Sequence, residues 1–169
     1  ETDIGDDEIP ENIETRTNPG DLWLLGDHRL ICGDATNEGD VSVLMNGLKA
    51  DLVFTDPPYG VSYGGGRAKG DHEKFKRGGG LKAHGMILND DLQDEGLYNL
   101  IHNSIKNLNL FTKKGASKYI CFSWKTYSSF ESAIKQNGLS IKSCIVWDKK
   151  SIGLGNSHYR PQHEFMFYI

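Results

Sequence analysis

Asp51-Leu52-Val53-Phe54-Thr55-Asp56-Pro57-Pro58-Tyr59-Gly60 is the stretch on which the fold turns. Leu52 to Phe54 form a compact apolar run of residues that suit a pleated strand. Pro57 and Pro58 end it, because proline lacks an amide N–H and its ring fixes φ. A short apolar run closed by turn signals predicts a buried strand of a parallel sheet. The loop opening at Asp56 then lies at the carboxyl edge of that sheet, where ligands bind in open α/β folds.

The flanking sequence agrees with such a sheet. Upstream, Asp21-Leu22-Trp23-Leu24-Leu25-Gly26 and His28-Arg29-Leu30-Ile31-Cys32-Gly33 read as a hairpin turning at Gly26-Asp27, followed by Asp34-Ala35-Thr36 and a helix over 39–47 closed by Gly47. Downstream, Leu92, Leu97, Leu100, Ile101, Ile105, Leu108 and Phe111 recur at helical spacing, predicting a helix within 91–111. A strand over 118–124, a helix over 127–137 closed by Gly138, and strands over 140–148 and 164–169 complete the order. Helices alternating with strands imply an α/β layer with a mainly parallel sheet. The last strand follows its neighbour without a helix, so that pair is expected to be antiparallel.

Composition narrows the function. The chain has 169 residues, enough for one domain with a core, and a net charge of −4. Much of the acidity sits in residues 1–18, which carry Asp3, Asp6, Asp7, Glu8, Glu11 and Glu14 without apolar periodicity and read as a linker or tail; residues 19–169 form the folded part. Three widely spaced cysteines, Cys32, Cys121 and Cys144, make no zinc pattern, and two lie in apolar runs, which predicts buried, reduced thiols and a cytoplasmic protein. No signal-like or membrane-length apolar run is seen, and the six histidines form no metal-ligand cluster.

The chemistry points to Asp56-Pro57-Pro58-Tyr59. An exocyclic amine of a nucleobase is a poor nucleophile, because its lone pair is delocalised into the ring. Two acceptors on its two hydrogens favour a pyramidal nitrogen. The Asp56 carboxylate can supply one acceptor and the Pro57 carbonyl the other, aimed in advance by the fixed φ of two prolines. Tyr59 can stack on a flipped-out base, an interaction of roughly 1–3 kcal/mol. A strand-ending turn uses the same residue types; the apolar strand before and the glycine after favour the chemical reading.

The tetrapeptide resembles the signature of S-adenosylmethionine-dependent amino-methyltransferases, and its Asp form resembles enzymes acting on adenine N6 more than those acting on cytosine N4. Gly20-Asp21-Leu22-Trp23, Leu25-Gly26-Asp27-His28-Arg29-Leu30 and Cys32-Gly33-Asp34-Ala35 are similar to prophage and plasmid adenine methyltransferases, so the resemblance runs over 20–169. It implies a Rossmann-like methyltransferase sheet, S-adenosylmethionine as cofactor and DNA as partner. It assigns Asp34 and Ala35 to the cofactor's adenosine end, with Asp56 and Pro57 also against the cofactor; a turn or helix-capping role for Asp34 stays open. Val146-Trp147-Asp148-Lys149 and Tyr159-Arg160-Pro161-Gln162-His163-Glu164 also look like the family and are expected to wall the base pocket, with Arg160 on phosphate and His163 and Glu164 ordering the loop. Trp124, at the same sheet edge, is read as a packing residue. The loop after the signature carries Arg67, Lys69, Lys74, Lys76, Arg77 and Lys82, cations that suit DNA phosphates.

One part of the family pattern is missing. The Gly-rich Phe-x-Gly-x-Gly cofactor loop does not occur; Gly64-Gly65-Gly66 and Gly78-Gly79-Gly80 follow no apolar strand, and Gly153-Leu154-Gly155 opens no helix. A permuted arrangement is therefore expected, with the signature first and the cofactor loop beyond Ile169. Such a sheet is incomplete, presents an apolar edge open to self-association, and predicts that the isolated chain does not methylate DNA. The competing readings are a cytosine-N4 or RNA amino-methyltransferase and a non-catalytic nucleic-acid-binding remnant. A release-factor glutamine methyltransferase is more distant, since its signature resembles Asn-Pro-Pro-Tyr.

Overall fold

The computed structural model describes residues 16–62, 87–150 and 158–169. Residues 1–15, most of the expected tail, lie outside that set. So do the glycine runs and the cations Arg67, Lys69, Lys74, Lys76, Arg77 and Lys82.

The expected hairpin is present. Strand β1 (Leu22–Leu25) pairs antiparallel with β2 (His28–Ile31), and Gly26 adopts φ +62 in the two-residue turn between Leu25 and His28. It forms its own two-stranded sheet, separate from the main one. Helix α1 (Glu38–Met45) follows, capped by the Asn37 side chain, which accepts from the amides of Gly39 and Asp40. It ends on Asn46 in the left-handed region, with Gly47 behind it. The Arg29 guanidinium donates to the carbonyls of Leu44 and Val43, so the hairpin is tied to the negative end of α1. No residue of α1 is buried.

The main sheet has four strands in the order β3 (Ala50–Thr55), β4 (Thr112–Phe122), β6 (His163–Tyr168), β5 (Ser143–Asp148). β3 and β4 are parallel, and β6 runs antiparallel to both β4 and β5. Three strands thus share one direction and the last in sequence opposes them, the mainly parallel α/β sheet the pattern predicts. β6 does not lie outside β5. It inserts between β5 and β4, where Phe167 faces Ile120 on one side and Cys144 on the other. β4 begins earlier than expected: Ala50 pairs with Thr112 but Leu52 with Ser117, and Gly115, at φ +81, lies within this irregularity.

Helix α2 (Asp94–Leu110) connects β3 to β4, and α3 (Tyr127–Gln136), preceded by a 3-10 turn at Trp124–Thr126, connects β4 to β5. Both pack on one face of the sheet. Leu97, Ile101 and Ile105 from α2 and Phe130, Ala133 and Ile134 from α3 close over Ile120, Phe122 and Phe167. The centre is aromatic: Phe122 stacks on Phe167 with centroids 3.9 Å apart and planes 5° apart. At roughly 25 cal/mol per Å² of buried apolar surface, these side chains supply most of the driving force for this layer.

Three expectations need correction. β3 is an edge strand rather than a strand buried on both faces. Among the described residues it pairs only with β4, and Leu52 and Phe54 are 56% and 61% exposed. Its alternation explains this: Val53 and Thr55 turn toward the helices, whereas Leu52 and Phe54 point to the face that no described helix covers. Cys144 is exposed, because β5 is the opposite edge strand, while Cys121 in β4 is buried. Trp124 is 67% exposed, not packed in the core, because it opens the turn beyond the end of β4. No described helix is long and apolar enough to cross a membrane.

Candidate active site

Asp56 is the first residue past β3, at the carboxyl edge of the sheet. Asp56, Pro57, Pro58 and Tyr59 together line one side of a pocket of about 250 Å³. Val61, Ile87, Asp90 and Glu164 complete it. The tetrapeptide and the start of β6 are therefore brought together, as the sequence reading expects of Glu164.

The pocket lining is mostly apolar. Of its three acidic residues, Asp90 gives its Oδ1 to backbone amides and Glu164 is paired with Lys149, so Asp56 is the most exposed carboxylate at its edge. Glu164 is ion-paired at 2.5 Å with Lys149, whose backbone N–H donates to the Gln162 carbonyl. No group of three His, Cys, Asp or Glu side chains among the described residues is placed to hold a metal ion.

Tyr59 is half-buried. Its ring meets Phe130 edge-on, with centroids 6.4 Å apart at 68°, and its hydroxyl donates to Asp56 Oδ1. Burial first, then that hydrogen bond and the Asp56 charge, raise the phenol well above its ordinary range. Beneath it, burial followed by the charges of Asp56 and Glu164 pushes the Cys121 thiol up to about 11. Cys121 is thus a neutral thiol at physiological pH, not a nucleophile.

The loop is held from behind. One Asp90 oxygen, Oδ1, accepts from three successive amides: Tyr59 at 2.9 Å, Gly60 at 3.0 Å and Val61 at 3.4 Å. The Asp90 carbonyl accepts from the Ser62 amide at 2.7 Å, and the Gln93 side-chain amide donates to the Gly60 carbonyl at 2.6 Å. Gly60 has φ +70, and a Cβ there would lie 2.5 Å from the Leu92 carbonyl oxygen and 2.7 Å from Leu97 Cδ2. Only glycine fits this crossing.

Sequence reasoning missed Asp90, Val61 and Ile87. Asn89-Asp90-Asp91 ahead of a helical pattern reads as ordinary first-turn acid. No local pattern marks Asp90 for burial: Ile87 and Leu88 before it are themselves exposed.

Other expected site residues stay apart from the pocket. Asp34 Oδ1 accepts from the Thr36 amide, and the Asp34 amide donates to Asp40, so Asp34 shapes its own turn. The Ala35 carbonyl accepts from the Asn107 side chain at 2.9 Å. Asn107 lies ten residues along α2 from Leu97, roughly 15 Å by helical rise. The Asp34-Ala35 turn is thus fixed near the end of α2 away from Gly60. Arg160 is exposed before β6, and His163 stands edge-on to Phe165 at 4.9 Å. Val146, Trp147 and Asp148 do not line the pocket; Lys149 borders it through Glu164.

Asp-Pro-Pro-Tyr closes β3 at the carboxyl edge of the sheet and lines a pocket there. Residues 50–169 match the family model described as DNA methylase, of the N6/N4 type. The chain belongs to this DNA methylase family. The match begins at Ala50, the first residue of β3, and leaves the hairpin and α1 outside. No curated protein sequence matches significantly. Among solved structures the chain is similar to the M1.HpyAVI–SAM complex, with 18% identity and a TM-score of 0.45, over 78% of this chain and 47% of that one. The chain thus spans about half the length of that protein.

Proposed function

We propose that this chain forms the base-binding and amine-activating part of a DNA methyltransferase that acts on the exocyclic N6 of a flipped-out adenine. The observation that carries the reading is Asp56 and Pro57 at the carboxyl end of β3, lining a pocket there together with Tyr59. The target amine donates one hydrogen to Asp56 and the other to the Pro57 carbonyl. Tyr59 already occupies Asp56 Oδ1, which leaves Oδ2 for the amine. When bound, S-adenosylmethionine would supply the methyl group, its S–CH3 bond breaking to leave the neutral thioether. Asp56 and the Pro57 carbonyl would hold the amine's two hydrogens, and Asp56 Oδ2 would take the proton that the cationic nitrogen releases. Pocket size supports a base as occupant: about 250 Å³ is below the roughly 300–1,000 Å³ usual for a whole small-molecule ligand.

S-adenosylmethionine would supply a methyl group on a sulfonium, and the Asp56 carboxylate suits that cationic end. Asp34 and Ala35, proposed for its adenosine end, do not line this pocket. The chain alone is therefore expected not to turn over. DNA is the proposed partner. Arg67, Lys69, Lys74, Lys76, Arg77 and Lys82 follow the signature closely in sequence and are proposed to contact phosphates, and Arg160, exposed before β6, is proposed to add another. The open β3 edge supports self-association as a further proposal.

The test is Asp56→Ala in the full-length protein. Methyl transfer to DNA falls at least about 100-fold, as for loss of a preorganised polar group at a reacting centre. The fold persists by circular dichroism, since Asp56 is exposed. Unchanged transfer would refute the assignment.

A further inference from the structure

Asp56 and Pro57 work only if the loop that carries them is aimed, and neither makes a described hydrogen bond that fixes the loop beyond Tyr59. The anchor is one side chain. Asp90 is 3% exposed, and its Oδ1 gathers the amides of Tyr59, Gly60 and Val61. Three consecutive N–H groups converging on one oxygen make a concave anion nest, and here the anion is supplied by the chain itself. Charge-assisted bonds of this kind are roughly twice as strong as neutral ones.

The backbone of the same residue adds a fourth tie, from the Ser62 amide at 2.7 Å. Gln93 holds the Gly60 carbonyl, and Leu92 and Leu97 press on the Gly60 Cα with no room for a side chain. The segment 87–93 thus straps the signature loop to the start of α2, which is buried in the core through Leu97. Helix α2 is packed into the core through Leu97, Ile101 and Ile105, so the strap transfers its position to Pro58 and Tyr59.

We infer that Asp90 is a positioning residue for methyl transfer: it orients Asp56-Pro57-Pro58-Tyr59 by binding the three amides that follow Pro58. The inference rests on the proposed amine-activating site. It is separate from the charge of the pocket, to which Asp90 also contributes. The two roles part on substitution. Asparagine keeps an acceptor oxygen at the same place and loses the charge; alanine loses both.

The experiment compares Asp90→Ala, Asp90→Asn, Asp90→Glu and Asp56→Ala in the full-length protein, measuring kcat and KM for DNA on enzyme whose folded fraction is known from thermal melts. Asp90→Ala is expected to lower kcat about 100-fold, the scale of a misplacement near 1 Å, with KM changed much less. Asp90→Asn is expected to recover kcat to within about fivefold of wild type, because the acceptor is restored. A kcat for folded Asp90→Ala within about threefold of wild type overturns the inference. So does an Asp90→Asn enzyme as slow as Asp90→Ala, which would assign the effect to charge. Should Asp90→Ala fail to fold, Asp90→Glu decides: its acceptor is displaced by one methylene, so undiminished kcat overturns the inference and a lowered kcat with a folded protein supports it. If Asp56→Ala remains active, the amine-activating site itself fails, and that outcome is distinct from a failure at Asp90 alone.

Discussion

At Gly60 the backbone passes so close to Leu92 and Leu97 that a methyl group decides whether the loop can form. Gly60→Ala adds a Cβ 2.5 Å from a carbonyl oxygen at φ +70, so it is expected to cost about 1–3 kcal/mol. Urea unfolding of the two proteins measures that difference, and an unchanged midpoint would show that the crossing is looser than described. The thiol below the pocket gives a pH signature. Cys121 has an ordinary value of 9.0 and is pushed up to about 11 in the fold. The unfolded chain therefore releases that proton first as pH rises. The stability contributed by the neutral thiol is complete below pH 9.0 and is lost as pH climbs toward 11. Tyr59, also raised, acts in the same direction from its ordinary 10.0 upward. Urea midpoints should fall across this alkaline range, and less steeply in Cys121→Ala. Equal slopes would remove the thiol from the account. At this scale the sequence was legible where covalent geometry speaks, in Pro57, Pro58 and Gly60. It was silent on Asp90, whose role depends on amides thirty residues away in the chain.

Elements were legible where their period was strong. Leu97, Ile101 and Ile105 mark α2, and all three are buried where helical spacing puts them. The hairpin announced itself through Gly26-Asp27. Strand order was harder, because hydrophobic pattern says which face of a strand is buried and not which neighbour it pairs with. The antiparallel relation of β5 and β6 followed from the missing helix, but the insertion of β6 between β5 and β4 did not. The burial of β3 was misjudged for a related reason: an apolar run looks the same whether its second face meets a partner or solvent. That exposed face leads to a prediction. Phe54 stacks no closer than 6.5 Å on Tyr119 and is 61% exposed, so Phe54→Lys should leave thermal stability within about 0.5 kcal/mol. It should weaken any concentration-dependent association seen by sedimentation, because charge on an edge strand opposes edge-to-edge pairing. Association that persists undiminished would exclude the β3 edge as its site.

For the molecule as a whole, the layer of α2 and α3 on one face of a four-stranded sheet does two things. It builds the aromatic core around Phe122, Phe130 and Phe167, and it fixes the carboxyl edge where Asp56, Asp90 and Glu164 meet. The overall acidity of the chain gives little sense of this arrangement, since much of that acidity lies in the first eighteen residues. What counts is local: Asp56, Pro57 and Tyr59 at the carboxyl edge, beside a pocket that Asp90 and Glu164 also line. The family match over 50–169 covers this layer and its site. The hairpin and α1 lie outside both the match and the core, and the Ala35 carbonyl between them is tied to α2 through Asn107.

The central claim is that this pocket activates an adenine amine, and the most direct measurement is the identity of the methylated nucleoside. DNA treated with the full-length protein and methyl-labelled S-adenosylmethionine is digested to nucleosides and separated, beside a parallel reaction with Asp56→Ala. The account predicts label in N6-methyldeoxyadenosine for the wild type and a loss of at least about 100-fold in the variant. Label in N4-methyldeoxycytidine would contradict the target base. Undiminished label with Asp56→Ala would contradict the site itself.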